Sequence, residues 1–347
     1  MNAFDFDPTG GLPPDHDYCM LEQPEGTDQY GENHAFWFFD DAGQVHGYNH
    51  VDAIQHFYQL RTERNWLIFP DGRVLYNWNE AAHTGKRQAG GGCLKFTCHE
   101  PFRRWSVDFL GTMRVSSAEE MARGPGRDGH RAIVDYHIDV EMAAEPWRQG
   151  KGYKYGDTRY EQLYRHHGYL RTSEGDELTI AGTGVRTHRR GPRIMSDWFG
   201  HLWTTALFPT GRGFGIKRFA GEDGPAGMVR AAYSEAFMME RGRIYPAEVI
   251  ECPHLASLQP SGEKLRIRLR SELGEADIAC EILGTSWRTM HLDSRSDNPR
   301  SFCIWNETGE YVLGQTATRF SWDGESVIGQ LERSALIDTL DRTGSGA

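Results

Sequence analysis

The chain of 347 residues carries 38 lysines and arginines against 49 aspartates and glutamates, a formal net charge of −11 at pH 7. This length is enough for two domains of ordinary size. The acidic balance argues against a nucleic acid or an anionic membrane as the main partner, because both require a basic surface. The sequence shows neither an apolar leader segment nor a run of about 18 apolar residues, so we expect a soluble, cytoplasmic protein without stable membrane insertion.

Aromatic residues make up 12% of the chain, and ten of them are tryptophans. This composition is typical of β-sheet cores and of wide apolar cavities, although the filling of two cores would explain any single tryptophan equally well. The six cysteines have no regular spacing, and Cys93 and Cys98 fall on opposite faces of one apparent strand. We therefore expect free thiols in a reducing compartment and no zinc site.

The first half of the chain reads as an irregular arm followed by hairpins. Residues 1–33 are rich in proline, glycine and aspartate, whereas residues 34–51 hold two aromatic or β-branched runs around the turn sequence Asp40-Asp-Ala-Gly. A second hairpin is predicted at residues 66–78 around Pro-Asp-Gly. Further strands follow, and apolar and polar residues alternate clearly over residues 105–109. A short helical turn is predicted at residues 117–121.

The second half consists of short apolar runs that turn residues separate at intervals of roughly 10–20 residues. Residues 264–270 alternate strictly between lysine or arginine and apolar side chains, which is typical of a strand with one face in water. Nothing resembles a β-α-β repeat. The pattern predicts a nearly all-antiparallel β chain built from barrels or sandwiches.

Residues 182–219 concentrate arginines, histidines and tryptophans among glycines and apolar residues. So many large polar side chains between two strand-like runs suit a polar layer inside a cleft better than a surface loop. We interpret this segment as the seam between two β domains and the floor of the functional site. The alternative is that Arg186, Arg193 and their neighbours pair with carboxylates across a domain interface and never meet a ligand.

The sequence motifs of common cofactor- and metal-dependent enzymes are absent. There is no Gly-x-Gly-x-x-Gly that opens a helix, no P-loop, no Gly-x-Ser-x-Gly and no His-Glu-x-x-His. The pairs His166–His167 and His46–His50 lack a supporting carboxylate–histidine spacing. We therefore expect no cofactor and no metal.

The whole chain resembles the two-domain lipocalin-like proteins grouped with AttH and the carotenoid 1,2-hydratases, especially a bacterial branch of unassigned function. The resemblance extends over roughly residues 30–335. It is based on five stretches: 33–44, 94–111, 184–193, 207–214 and 324–332. The family signature reads Arg-Asp-x-Ser-Trp-Gly-x-Arg. Here Thr187 and Arg190 replace its Asp and Trp. If that Asp is catalytic elsewhere in the family, its role is either missing in this chain or carried by another residue.

The resemblance implies an all-β fold of two consecutive lipocalin-like antiparallel β-barrel or sandwich domains with few short helices. The expected parts are an irregular N-terminal arm (1–33), a first domain (34–183), a second domain (184–337) and a tail (338–347).

The carotenoid hydratases use a His-x-Trp followed by a Tyr-x-acid on the neighbouring strand. His201-Leu-Trp203 and Tyr233-Ser-Glu235 match that pattern at a comparable distance.

These residues define a hypothetical site for acid-initiated chemistry. A carboxylic acid in an apolar pocket stays protonated because burial raises its pKa, so Glu235 is the first candidate acid, Asp197 the second and Glu161 the third. His201 would orient the acid or hold water, and aromatic faces would stabilise a cation. The candidate catalytic residues are Glu235, Asp197, His201 and Tyr233. The candidate substrate-binding residues are Trp203, Trp198, Tyr164, His167, Arg186, His188, Arg193 and Glu161.

Two functions compete at this point. The first is a cofactor-independent hydratase, dehydratase, isomerase or cyclase of a hydrophobic terpenoid-, carotenoid- or steroid-like substrate. The second is a non-catalytic protein that binds such a lipid, and it would show polar groups only at the mouth of its cavity. An interaction module with a closed seam is a third alternative, and a homodimer is compatible with all of them.

Overall fold

The computed structural model describes residues 6–27, 30–54, 57–123, 129–150, 158–192, 199–221, 232–290 and 311–340. Within these ranges the chain is almost entirely β-strand, with one short α-helix, α1 (Ala118–Arg123), and 3-10 turns at Pro14–Asp17 and Ile337–Thr339. No helix in the described part of the chain has the length and hydropathy needed to cross a membrane. The prediction of an all-β fold with few short helices is confirmed, including the helical turn near residue 118.

The first eleven strands form one antiparallel sheet, which we call the N-terminal sheet. Its strands are β1 (Tyr30–Asp40), β2 (His46–Ile54), β3 (Phe57–Ile68), β4 (Arg73–Ala82), β5 (Gln88–Ala89), β6 (Leu94–Glu100), β7 (Arg104–Ser117), β8 (Arg131–Met142), β9 (Trp147–Arg148), β10 (Thr158–Thr172) and β11 (Glu177–Pro192). Their order is β4-β3-β2-β1-β11-β10-β8-β7-β6-β5, and β9 pairs with β10. A further pairing of β4 with β7 joins the two arms of the sheet into a ring.

The remaining eight strands close into a barrel, which we call the C-terminal barrel. They are β12 (Gly200–Leu207), β13 (Gly213–Phe219), β14 (Tyr233–Glu240), β15 (Arg243–Glu251), β16 (Lys264–Ser271), β17 (Gly274–Met290), β18 (Tyr311–Trp322) and β19 (Glu325–Leu336). Each strand pairs with the next, and β12 pairs with β19 to close the barrel. The alternation at residues 264–270 is present in the structure: Ile267 and Leu269 are fully buried, while Arg266, Arg268 and Arg270 face outward.

Strand alternation sends neighbouring residues into different cores. On β1, Phe36 and Phe38 enter the apolar interior of the N-terminal sheet, whereas Trp37 and Phe39 face the C-terminal barrel. The barrel contributes outward side chains such as Trp203 of β12 to the same contact. We call this shared group the interface cluster; its members include Ala35, Trp37, Phe39, Tyr48, Trp66, Leu163, Val185, Trp203, Leu207, Phe237, Met239, Trp287 and Val312.

Two further features bear on the sequence predictions. Position 184, expected to open a second domain, lies within β11, which continues in the N-terminal sheet to Pro192 before the barrel begins at Gly200. The expected arm packs onto the N-terminal sheet through residues such as Leu12, Asp17 and Cys19, all of which are buried. The described cysteines are free thiols, as expected; Cys303 lies outside the described residues.

Candidate functional site

A polar cavity lies between the outward faces of the N-terminal sheet and the C-terminal barrel. The volume within it that is open to the centre of a water molecule is about 60 Å³, enough for a few waters or a small polar group. Its lining residues are Asn33, Trp37, Tyr48, His50, Arg64, Arg159, Thr187, His201, Trp203, Lys217, Phe219, Arg288 and Glu332. Both halves of the molecule contribute, so the site exists only when they are packed together.

The register of the strands explains this convergence. Trp203 of β12 lies opposite Lys217 of β13 on one side and opposite Glu332 of β19 on the other. Residues two positions apart on a strand share its face, which adds His201 and Phe219 to the same outward surface. The facing wall comes from alternate positions of three strands of the N-terminal sheet. These are Asn33 and Trp37 of β1, Tyr48 and His50 of β2, and Arg64 of β3.

Lys217 is the buried cation at the centre of this surface, with 1% of its side chain exposed. It forms an ion pair with Glu161, which also accepts a hydrogen bond from Trp203 Nε1–H at 2.5 Å and lies 3.4 Å from Arg159. The ammonium sits 4.4 Å from the centre of the Trp203 ring. Burial, reinforced by the charge of Arg159, lowers the pKa of Lys217 to about 7, and the attraction of Glu161 does not offset it.

His201 and Glu332 form a second buried pair, with Nε2 and Oε1 2.8 Å apart. Burial by itself would raise the pKa of Glu332, but the hydrogen bond and charge of His201, together with Arg288 and Gln315, lower it to about 2. Burial lowers the pKa of His201 despite the carboxylate beside it. The pair therefore consists of a carboxylate and a neutral imidazole, with Nε2–H donating to Glu332. The other ring nitrogen contacts Tyr311 Oη at 3.0 Å.

Two arginines complete the charged lining. Arg64 forms an ion pair with Asp52, and its guanidinium lies 3.2 Å from His50 Nδ1. Arg288 lies over the rings of Tyr48 and Trp66, at 5.8 and 5.4 Å from their centres. Planar guanidinium groups that are stacked on rings keep their N–H donors directed sideways, a geometry suited to oxygen acids.

Aromatic rings form the apolar part of the wall. Trp37 meets Trp203 edge to face at 4.6 Å and Tyr48 at the same distance, and His201 stacks on Phe219 at 5.9 Å. The Nε1–H of Trp37 has no hydrogen-bond acceptor among the described residues although the side chain is buried. The cavity thus combines flat apolar faces with strong hydrogen-bond donors.

A separate polar network fills the interior of the N-terminal sheet. Asp17 is fully buried, 2.7 Å from Arg186, and accepts hydrogen bonds from Trp105 Nε1–H at 3.0 Å and Tyr160 O–H at 2.5 Å. Nearby, His188 lies 2.9 Å from Glu32. The network is a structural layer that ties the arm to the sheet.

Glu32, His34 and His188 lie close enough together to share a metal ion. Glu32, however, already lies 3.2 Å from Arg190 and 3.6 Å from Arg61. A divalent cation would place further positive charge beside these arginines, so the donor set fits a hydrogen-bonded network better than a metal centre.

The structure separates the residues that the sequence grouped together. His201 and Trp203 line the cavity, and Glu161 supports it from behind Trp203 and Lys217. The inward positions of β11 place Arg186 and His188 in the polar network instead. Residues 182–219 therefore do not all face one space, because alternate residues of β11 face different interiors: Thr187 lines the cavity, whereas Arg186 and His188 do not.

The other candidates occupy varied positions. Tyr164 is buried in the N-terminal sheet and donates its hydroxyl to the Trp37 carbonyl at 2.6 Å, whereas His167 is 76% exposed beside Asp139. Glu235 is partly exposed and accepts the Gly150 N–H at 2.9 and 3.0 Å. Tyr233 packs on Phe219 at 5.7 Å. Three further candidates lie outside the described residues: Arg193, Asp197 and Trp198.

The sequence interpretation missed the five charged residues that line the cavity. The overlooked residues are Arg64, Arg159, Lys217, Arg288 and Glu332. One signal was available for Lys217, because the alternation of Phe214 and Ile216 as buried residues places it on the outward face. That signal alone predicts a solvated lysine, since an outward position on a barrel is usually in water.

Comparison with known proteins supports the fold. No family model matches the sequence, and no curated protein matches it. Solved structures do match, and three of them are compared here. A "putative AttH" from Nitrosomonas europaea is 14% identical with a TM-score of 0.55, and the match covers 89% of this chain and 93% of that one. CghA is 8% identical with a TM-score of 0.51 and 90% coverage of each chain.

CghA with Sch210972 is 10% identical, with a TM-score of 0.50 and coverage of 89% of this chain and 88% of that one. At such identities the likeness concerns the fold. The resemblance stated from the sequence is confirmed at that level, and the chain has the lipocalin-like fold shared by the AttH-type structure and CghA.

Proposed function

We propose that the chain is an enzyme that transfers protons on a hydrophobic small molecule whose polar, reacting end enters the interdomain cavity. The observation that carries this proposal is Lys217, a buried lysine that lines the cavity and whose pKa is lowered to about 7. A group with a pKa near the working pH both accepts and releases a proton efficiently. Buried titratable groups with strongly shifted pKa values are enriched at active sites.

The surroundings of Lys217 suit a substrate whose reacting carbon is activated by a carbonyl or similar group. The neutral amine would remove a proton from that carbon, and the resulting ammonium would return it at another position, which isomerises the substrate. Arg64 and Arg288 would stabilise the negative oxygen that develops between the two steps. Loss of a hydroxyl group after the first step would give dehydration, and attack on an internal double bond would give cyclisation.

Hydration of an unactivated alkene receives less support from this cavity. It needs an acid strong enough to form a carbocation, and an ammonium group with a pKa near 7 is too weak for that step. A hydratase mechanism would still rely on a carboxylic acid such as Glu235, which accepts the Gly150 amide at the edge of β14. The proposal therefore favours isomerisation, dehydration or cyclisation of an activated substrate.

The test is mass spectrometry after incubation of the protein with terpenoid and steroid enones in deuterated water. We expect enzyme-dependent uptake of deuterium or formation of an isomer, with a rate that follows an apparent pKa near 7. Replacement Lys217→Arg keeps the charge but removes the titration, so we expect a loss of about 10²–10⁴-fold in rate. The matched control is Lys264→Arg on the exposed face of β16. Full activity in Lys217→Arg would refute the proposed role.

A non-catalytic lipid carrier remains the second candidate. It is favoured by the pairing of the cavity's charges, because Lys217 already contacts Glu161 and Arg64 already contacts Asp52. A carrier would return its ligand chemically unchanged with no deuterium uptake. CghA, which shares the fold, is known in a structure with Sch210972, and that observation is compatible with either candidate.

A further inference from the structure

Lys217 has the surroundings that make a lysine amine a nucleophile. Of the described residues that line the interdomain cavity, it alone carries an amine. Its side chain is 1% exposed, so little water solvates the ammonium form. Arg159, which lies 3.4 Å from the shared partner Glu161, places a second positive charge nearby. Burial and a neighbouring cation are the two conditions that activate lysine amines toward carbonyl carbons.

Glu161 places a proton acceptor directly beside this amine. Its two oxygens have different partners: Oε2 accepts the Trp203 indole N–H at 2.5 Å, while Oε1 contacts the Lys217 ammonium. The carboxylate is therefore held in the orientation in which one oxygen exchanges a proton with Nζ. The pair supplies what imine formation needs, a nucleophile and a group that accepts and then returns a proton.

The same surroundings suit a covalent product. The open volume of about 60 Å³ accommodates a carbonyl end group, while a larger apolar body stays at the aromatic rim. A protonated imine carries the same single positive charge as the ammonium that it replaces. The ion pair with Glu161 and the contact of Nζ with the Trp203 ring at 4.4 Å are therefore retained after the reaction.

We propose that Lys217 binds hydrophobic aldehydes covalently, as an imine between Nζ and the aldehyde carbon. The ammonium first gives a proton to Glu161. The neutral amine then forms a C–N bond to the carbonyl carbon, and a proton moves from nitrogen to oxygen to give a carbinolamine. Glu161 returns its proton to the hydroxyl group, which leaves as water while the nitrogen lone pair forms the C=N bond. Neither an oxidant nor a reductant is consumed, and addition of water reverses the sequence.

This inference goes beyond the proposed proton transfer, in which the amine acts as a base and forms no bond to carbon. The two roles exclude each other at one site, because the nitrogen of the protonated imine cannot accept a proton from a substrate. An aldehyde therefore inhibits proton transfer by Lys217, reversibly at first and permanently once the imine has been reduced.

The test incubates the full chain with geranial and sodium cyanoborohydride at pH 7, followed by digestion and mass spectrometry of the peptides. Cyanoborohydride reduces the protonated imine to a stable secondary amine and so records which of the six lysines formed it. The matched control is Lys264 on the exposed face of β16. We expect Lys217, whose pKa is lowered to about 7, to be modified at least about tenfold faster, since lysines in water are almost entirely protonated at this pH. Geraniol lacks the carbonyl and should not modify the protein.

Replacement Glu161→Gln tests the role of the carboxylate, with circular dichroism as the check on folding. The glutamine keeps an oxygen for the Trp203 indole but cannot exchange protons with Nζ. We expect modification of Lys217 to slow at least about tenfold, although the loss of a negative charge by itself favours the neutral amine. The matched control Glu281→Gln removes a carboxylate from an exposed ion pair of β17 and should leave the rate unchanged.

Three results would overturn the inference: no modification of Lys217 in wild type, a rate no higher than that of Lys264, or an unchanged rate in folded Glu161→Gln. The first two use wild type alone, so they decide the question even where the variant fails to fold.

Covalent binding and turnover fail separately in this design. Capture of geranial at Lys217 without deuterium uptake into enones would refute the proposed activity and leave a covalent carrier of aldehydes. Deuterium uptake that depends on Lys217, with no imine trapped, would refute only the assignment of Lys217 as a nucleophile.

Discussion

At the scale of single residues, the buried carboxylate of Asp17 shows how the arm is held to the N-terminal sheet. Burial would raise its pKa, but the charge of Arg186 and the hydrogen bond from Tyr160 lower it below the ordinary value of 3.8. Asp17 also accepts the backbone N–H of Phe102 at 2.6 Å, where the chain turns with a positive φ of 58°. One carboxylate on the arm thus contacts a turn and three strands, β7, β10 and β11.

We predict that Asp17→Asn lowers the free energy of unfolding by about 3–5 kcal/mol, because it leaves Arg186 buried without its counterion. Since the folded-state pKa of Asp17 is lowered, its stabilisation is present above pH 3.8 and is lost as the pH falls through the folded-state value. The difference between wild type and variant should therefore shrink in acid. Urea titrations at neutral pH and near pH 3 measure it.

The control for this prediction is Asp277→Asn. Asp277 pairs with Arg266 on the exposed surface of β16 and β17, where water screens the charges, and its removal should change stability little. A loss for Asp17→Asn as small as that of the control would contradict the assignment of Asp17 as a structural anchor.

At the scale of elements, the close approach of β1, β10 and β11 depends on a glycine. A Cβ atom at Gly184 would lie 2.2 Å from the Trp37 carbonyl oxygen and 2.4 Å from the Tyr164 ring. The same carbonyl accepts the Tyr164 hydroxyl. The backbone oxygen cannot move aside without separating paired strands, so the position excludes larger residues.

Replacement Gly184→Ala should therefore destabilise the protein by about 1–3 kcal/mol through overpacking. Gly31→Ala on β1 is the matched control, since its Cβ would meet only the end of the Arg189 side chain at 3.1 Å, which can shift. Thermal unfolding of both variants measures the difference. Equal melting temperatures would show that the strands separate more easily than their packing indicates.

At the scale of the whole molecule, the interface cluster joins the N-terminal sheet and the C-terminal barrel through shared buried apolar side chains. Its tryptophans come from both halves, and Trp37 and Trp203 meet edge to face. Extensive apolar contact couples the unfolding of neighbouring units, whereas small polar interfaces leave them independent.

We expect the two halves to unfold together. Hydrogen exchange measured by mass spectrometry across a guanidinium series should show peptides from β7–β8 and from β16–β17 losing protection at the same concentration. Trp203→Ala removes a buried ring from the contact and should shift both transitions or separate them. Separate transitions in wild type would contradict a cooperative interface.

The sequence predicted the class of the fold but little of the site, and the reason is physical. Alternation over residues 264–270 and the Pro-Asp-Gly turn before Arg73 are local signals, and both features are present in the structure. Lys217 and Glu161 are separated by 56 residues on different halves of the molecule. Alternation shows that Lys217 faces outward from its barrel but cannot show that another β unit covers it.

The pairing of β1 with strands on both sides has a consequence for synthesis on the ribosome. One neighbour, β2, follows directly in the chain. The other, β11, comes much later, and its residues 182–192 pair with Tyr30–Asp40 along the whole length of β1. Until that part of the chain has emerged, one edge of the aromatic strand β1 has no partner. Exposed edges of this kind recruit other chains. We therefore expect the nascent protein to pass through an aggregation-prone interval, which favours rapid translation or a chaperone that shields the first hairpin.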